Sequence, residues 1–269
     1  MVIRHQSIAL AILILQPLLA MAGPREDGLQ AYKQGHYVEA IKHWLPLAKQ
    51  GDLQVQYNLG IMFSLGQGVD QDYTKAYPWF LKPAEQNDGD AQAKLGDFYA
   101  KGLGVNQDLQ KAFQWYTRAA NNGNAKAQYN IAVMHAQGTG TRQDHSIALR
   151  WYYASAKQNY VPAQYNLGYM HEHGDGIPAD DKEAFYWYDK AARSGAGDAQ
   201  ANLGRLYFQG KGIKQDKVIA YAWFSVAANN KIENAIKNQA FTFSQLTDKQ
   251  KGEAETLATE YIKKFAEKT

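Results

Sequence analysis

From residue 53 onward, apolar residues recur three and four apart, and pairs of glycines interrupt the pattern at regular intervals. Residues 91–99 read Ala-Gln-Ala-Lys-Leu-Gly-Asp-Phe-Tyr, which gives one apolar stripe on a helix. Gly102-Leu-Gly104-Val105 follows, and two glycines so close break a helix and allow backbone angles that other residues avoid. Asp108 then precedes a second helical run, Leu-Gln-Lys-Ala-Phe-Gln-Trp-Tyr at 109–116. Its carboxylate suits the free N–H groups of a first turn. Glu183, three residues after Asp180, predicts a capping box at the equivalent helix. Ala119 and Ala120 permit close helix approach, and Gly123 ends the second run. The predicted unit is helix, loop, helix.

The unit repeats every 36 residues. Trp79, Trp115, Trp151, Trp187 and Trp223 keep that spacing, and Trp44 stands 35 before Trp79, so all six tryptophans are read as one lattice. Gly66/Gly68, Gly102/Gly104, Gly138/Gly140, Gly174/Gly176 and Gly210/Gly212 keep it, as do Asp72, Asp108, Asp144, Asp180 and Asp216. One hairpin cannot bury its apolar face alone, so the expected fold is all-α, a solenoid of stacked hairpins with contacts between neighbours. The repeats are placed at 53–88, 89–124, 125–160, 161–196 and 197–232, with the lattice tryptophans as packing residues. Pro78 and Pro83 fall inside the second helix of the first repeat. A proline there removes a hydrogen bond and clashes with the preceding turn, at about 3 kcal/mol or more, so a kinked or shortened helix is expected near Pro78.

The two ends differ from the middle. Residues 23–52 carry a shorter capping hairpin with Ala31, Gly35, Ala40, Trp44 and Ala48. Residues 233–269 begin in first-helix phase, with Ala235 one period after Ala199. Thr247 and Gln250 then predict a capping box for a last helix with Leu257, Tyr261 and Phe265 on one face, closing the stack. Residues 1–22 combine Arg4 and His5, an apolar run broken by Gln16 and Pro17, and Ala20-Met21-Ala22. That pattern reads as a secretory signal peptide cut after Ala22. The mature chain is expected to be exported, to the periplasm in preference to the medium.

Composition narrows the chemistry. The 29 basic and 26 acidic residues leave a net charge of +3, without the basic domain of an electrostatic nucleic-acid binder. There is no cysteine, which excludes disulfides, thiolate metal sites and a cysteine nucleophile. No serine stands in Gly-x-Ser-x-Gly or Ser-x-x-Lys, and no Gly-x-x-x-x-Gly-Lys is present. Asp175 between Gly174 and Gly176 is one carboxylate where calcium wants six to eight oxygens. His135, His171 and His173 are the best metal candidates, yet His-Glu-His lacks the i, i+4 spacing of a helical ligand pair. His135 and His171 occupy a slot held elsewhere by Phe63, Tyr99 and Tyr207, which favours packing. No catalytic set, metal or cofactor is expected.

The recurring pattern Ala-x-x-x-Leu-Gly-x-x-Tyr, Gly-x-Gly-Val, Asp-x-x-Lys-Ala-x-x-Trp-Tyr, Ala-Ala, Gly resembles the Sel-1-like repeat, a longer-loop relative of the tetratricopeptide repeat. Ala132 stands where the family has its helix glycine, and His135 and His171 replace its tyrosine. The resemblance implies a right-handed superhelix that acts as an adaptor for a protein or peptide, with first helices lining a concave face. On that face it implies a row of Asn58, Lys94, Asn130, Asn166 and Asn202, bordered by Tyr57, Tyr129 and Tyr165. Three positions further on, Asp97, Tyr169 and Arg205 vary as partner-reading residues would. An amide offers both donor and acceptor to a peptide backbone, and tyrosine gives rigid contact area. A monomeric, non-enzymatic exported adaptor is the expectation. A regulator of a cell-envelope enzyme, an unrecognised hydrolase and a secreted host-interaction factor are the alternatives.

Overall fold

The computed structural model describes residues 23–266; the expected leader, 1–22, lies outside them. The described residues form fourteen helices. The first hairpin is α1 (Pro24–Lys33) and α2 (Tyr37–Lys49). The repeats supply α3 (Leu53–Leu65) with α4 (Tyr73–Glu85), α5 (Gly89–Lys101) with α6 (Leu109–Asn121), and α7 (Ala125–Gln137) with α8 (His145–Lys157). They continue as α9 (Val161–His173) with α10 (Asp181–Arg193), and α11 (Gly197–Gln209) with α12 (Lys217–Asn229). α13 (Glu233–Ser244) and α14 (Asp248–Phe265) end the chain.

Local chemistry sets these boundaries. Asp72, Asp108, Asp144, Asp180 and Asp216 each accept a backbone N–H of the second helix they precede. The first helices end on Gly66, Gly102, Gly138, Gly174 and Gly210, whose φ of +67 to +70° is left-handed, where a side chain is strained. Thr247 and Gln250 form the expected capping box of α14. Glu183 does not form one: its carboxylate accepts instead from the Trp187 indole at 3.1 Å.

α4 runs unbroken from Tyr73 to Glu85, thirteen residues like its counterparts, so the expected shortening at Pro78 does not occur. Pro78 sits on an exposed face, and so does Thr74, whose carbonyl loses its helical donor. An exposed carbonyl is open to solvent, which removes much of the cost that a buried proline carries. Pro83 is buried near the helix end, among Ala84 and Phe80.

The core follows a different register from the tryptophans. Phe80, Tyr116, Tyr152, Tyr188 and Phe224, each one residue after a lattice tryptophan, are 0 to 4% exposed. Trp79, Trp115 and Trp151 are only half-buried, whereas Trp187 and Trp223 are buried. Trp44 lies 36 before Phe80, so it fills this deeper slot and is off the tryptophan lattice; its odd spacing of 35 is thereby explained. Each deep ring lies on the backbone of a first-helix glycine. A Cβ on Gly28, Gly60, Gly96, Gly168 or Gly204 would come within 2.2–2.8 Å of the ring of Trp44, Phe80, Tyr116, Tyr188 or Phe224. Ala132 is the exception, in van der Waals contact with the cluster of Tyr152.

Five buried glutamines join successive hairpins. Gln56, Gln92, Gln128, Gln164 and Gln200 each donate through Nε2 to the carbonyl eight residues earlier, at 2.8–3.3 Å. Those carbonyls, from Ala48 to Ala192, belong to the last turn of the preceding second helix, where a turn N–H three residues on is the backbone donor and the glutamine adds a second. Gln92, Gln128 and Gln200 in turn accept from Asn122, Gln158 and Asn230. Ser194 is too short to do the same for Gln164, and the Gln164 Oε1 is buried without a partner.

α14 does not pair with α13 as a second helix would. It turns back onto α12, where Phe265 stacks on Trp223 at 5.1 Å and Tyr261 packs on the same indole.

Candidate functional site

The deep rings look outward between successive first helices, so each repeat junction has an aromatic floor and a first-helix rim. The rim residue is the one the sequence singles out: Asn58 beside Trp44, Asn130 beside Tyr116 and Asn166 beside Tyr152, with Lys94 and Asn202 at the equivalent positions of their repeats. All five rim residues are half-buried. They do not stand idle. Asn166 donates to the Tyr152 hydroxyl at 3.0 Å. Asn130 is placed to hydrogen-bond the Tyr116 oxygen, and Asn202 accepts from Arg205 at 3.4 Å. Asn58 accepts from Gln54 at 3.3 Å.

Two junctions are filled by ion pairs. Over Tyr116, the phenol donates to Asp97 Oδ1 at 2.7 Å while Lys126 from α7 meets Oδ2 at 2.7 Å. Over Tyr188, the phenol donates to Glu172 at 3.1 Å, and Arg205 from α11 pairs with Glu172 at 2.6 Å. Burial first, then the adjacent carboxylate, pushes both phenols far above the ordinary range, so they stay protonated donors. Asp97 and Arg205 therefore tie repeats to each other. Over Phe80, Tyr57 packs edge-on at 5.5 Å. Its phenol is pushed up to about 12, by burial and then by Asp90, Asp88 and Asp97.

Three junctions are open. A cleft of about 330 Å³ lies over Trp44, with Arg25, Glu26 and Asn58 on its walls. A cleft of about 190 Å³ lies over Phe224, walled by Arg205, Phe208 and Asn238. The central one, about 320 Å³, lies between α7 and α9 over Tyr152, with Tyr165, Asn166, Tyr169, Met170 and Asp175 around it. Here Tyr165 packs on Tyr188 at 5.7 Å, and Tyr169 is 45% exposed and stacked on His173 at 4.0 Å. Tyr129 lies just behind, against Tyr152 and Tyr160. Burial pushes the Tyr152 phenol up to about 12; the Asn166 hydrogen bond opposes this, and Tyr129 and Asp175 add to it.

The pattern of the family described as Sel1 repeat matches residues 53–88, 89–124, 125–160, 161–195 and 197–231. The chain belongs to the Sel1 repeat family. Among solved structures, it is similar to a Sel1 repeat protein from Oxalobacter formigenes, with 28% identity and a TM-score of 0.74, covering 88% of this chain and 97% of that one. A protective antigen of uropathogenic Escherichia coli strains is also 28% identical, over 90% of this chain and 68% of its own, with a TM-score of 0.40. A Sel1 repeat protein from Klebsiella pneumoniae is 24% identical, over 81% and 99%, with a TM-score of 0.47. Comparison with curated proteins gives no match.

Within this Sel1 repeat protein the three candidate histidines do not converge. His135 is buried edge-on to Phe113, and His171 shares a hydrogen bond of 2.7 Å with the Tyr153 hydroxyl. Desolvation lowers the His171 pKa, so its buried ring favours the neutral form. His173 points outward, its Nδ1 2.9 Å from the Tyr169 carbonyl. Among the described residues, no group of three or more His, Cys, Asp or Glu is placed to hold a metal. No helix among them is long and apolar enough to cross a membrane. Three residues lining these clefts are not among the expected groove residues: Tyr152, Asp175, which the sequence reading weighed only for calcium, and Asn238. Asn238 was readable, since it stands 36 after Asn202. Tyr152 was hidden because a core ring whose hydroxyl alone reaches the groove has no sequence mark.

Proposed function

We propose that this Sel1 repeat protein is a non-catalytic exported adaptor that holds an extended segment of a partner protein along its first-helix row. The carrying observation is the alternation of junctions. Ion pairs seal those over Tyr116 and Tyr188, while the tyrosine-walled cleft between them stays open. A segment lying along Asn130, Asn166 and Asn202 would rest on the sealed junctions and lower one side chain into the open one. Asn166 uses its amide nitrogen on Tyr152, which leaves its carbonyl oxygen to accept a peptide N–H. Tyr165 and Tyr169 supply contact area at small entropic cost. Export rests on the pattern of residues 1–22, which predicts a cleaved leader.

The test places a photoreactive residue at 166 and, separately, at 186, where Tyr186 is exposed on the second-helix side. Crosslinks in the exporting cell are mapped to the partner peptide. A single peptide captured at 166 and not at 186 is expected. Specific capture at 186 alone overturns the groove and assigns binding to the second helices.

A further inference from the structure

The central cleft has a definite electrostatic character. The phenol rings of Tyr165 and Tyr169 and the hydroxyl end of Tyr152 line it, together with the apolar Met170. Asp175 is the one charged side chain on its wall. The other open clefts differ, since Arg25 or Arg205 borders each of them. The Asp175 side chain is 45% exposed, and His145 Nδ1 stands 3.4 Å from its Oδ1 without a hydrogen bond. The carboxylate presents its charge to the cleft wall it lines. That charge is felt inside, because Asp175 contributes to the raised pKa of Tyr152. Tyr165 is raised in the same direction, by burial and then by Asp198 of α11.

We propose that this cleft receives a lysine or arginine side chain of the bound segment, its stem on Met170, its charge over the tyrosine faces and its head at Asp175. This rests on the groove reading above and names the side chain that groove selects. A cation over an aromatic face is attracted by the ring quadrupole, and more strongly where water is excluded. A long basic side chain suits an apolar floor with a charged mouth, because its methylenes bury while its head reaches the carboxylate. An apolar side chain would cover Asp175 and leave its carboxylate without compensation. An acidic one would meet like charge with no basic group on the wall to receive it.

The site also reports on itself. The chain has five methionines, and Met170 lines the cleft. Full-length protein carrying ¹³C-methyl methionine is titrated with n-butylguanidinium and with the neutral n-butylurea, of nearly the same shape. Butylguanidinium should shift the Met170 methyl to saturation, and butylurea should bind about fivefold or more weakly. Asp175→Asn should abolish the difference; it alters an exposed loop carboxylate and leaves the packed core intact. Tyr169→Leu, at an exposed ring, should weaken butylguanidinium several-fold. Equal binding of the two probes, an unchanged preference in Asp175→Asn, or an unmoved Met170 methyl would each overturn the inference. The groove reading fails separately. If position 166 captures a peptide while Met170 ignores butylguanidinium, the groove stands and the basic pocket falls. If Met170 responds and position 166 captures nothing, the pocket stands without the groove.

Discussion

The glycine-on-ring contact that spaces the repeats can be tested by one substitution at two places. Gly168→Ala puts a methyl 2.7, 2.8 and 2.9 Å from three carbons of the Tyr188 ring. Carbon atoms rest at about 3.5–4.0 Å, so the ring must retreat by roughly 0.8 Å or more. It has little room: Tyr188 is fully buried, and its hydroxyl is held by Glu172, which Arg205 holds in turn. Overpacking of this kind costs about 1–3 kcal/mol. Loosening the hydroxyl bond adds about 0.5–1.5 kcal/mol. Replacing glycine in a helix returns about 1 kcal/mol of propensity. The net is a loss of about 0.5–3.5 kcal/mol. Gly252→Ala in α14 is the control, because nothing lies within 4 Å of its added methyl. It should gain the propensity term alone, about 1 kcal/mol. At roughly 2–4 °C per kcal/mol for a chain of this size, the two variants should melt on opposite sides of the parent protein. Differential scanning calorimetry with urea titration reads both. If Gly168→Ala stabilises as much as Gly252→Ala, the ring yields freely and the close contact does not set the repeat spacing.

Gln92→Leu should cost about 0.5–1.5 kcal/mol per hydrogen bond lost in urea unfolding, because the Ala84 carbonyl and Asn122 each lose one partner while keeping another. Gln164→Leu should cost less, since that side chain already carries an unpartnered oxygen and a bond of 3.3 Å. Trp223→Ala, at 1% exposure under α14, should lose about 3–5 kcal/mol, and half-buried Trp151→Ala distinctly less; equal losses by calorimetry would refute the reading that α14 makes Trp223 a deeper core residue than its counterpart. Tyr152 is held to about 12 against about 10 unfolded, so it favours the folded state fully below pH 10. That contribution fades as pH rises from 10 to 12, and Tyr152→Phe should flatten this part of the urea stability curve.

Sequence legibility tracked how local each feature is. Aspartate caps, glycine stops and the 36-residue period depend on residues a few positions apart, and the structure places them where the pattern does, the capping box expected at Glu183 excepted. The choice between two adjacent aromatic slots was not legible. Trp-Tyr at 151–152 presents two large rings in succession, and only the packing of α7 and α9 decides which goes inward. The indole sits at the edge, and the narrower phenol lies where Ala132 admits it. The glutamines misled in the opposite sense. An amide at Gln92 reads as surface by polarity, yet it is buried because the end of α4 offers a carbonyl that accepts a second donor. At Pro78 the penalty was real in kind, but exposure leaves the freed carbonyl open to solvent. The asparagine row was legible as a series of first-helix positions, and the pairing of its neighbours was not. Nothing local marks Asp97 and Arg205 as already paired across a junction.

The end of the stack shows that packing slots and rim slots are written independently. α13 keeps the buried alanine of a first helix, since Ala235 stands 36 after Ala199. The other inward slots are lost. Gln200 becomes Ile236, Leu203 becomes Gln239, Gly204 becomes Ala240 and Leu206 becomes Thr242. A hairpin stacked on α13 in the same way would have to bury an amide at the leucine slot and a hydroxyl at the next. α14 is diverted instead to α12, where the Phe265 carbonyl accepts from Gln200 at 3.0 Å and seals that junction. The rim, however, continues. Asn238 extends the asparagine row, and Phe241 follows at the position of Tyr169 and Arg205, 57% exposed. A helix that has given up its stacking face has kept its rim, so the row available to an extended segment runs one helix beyond the last complete repeat.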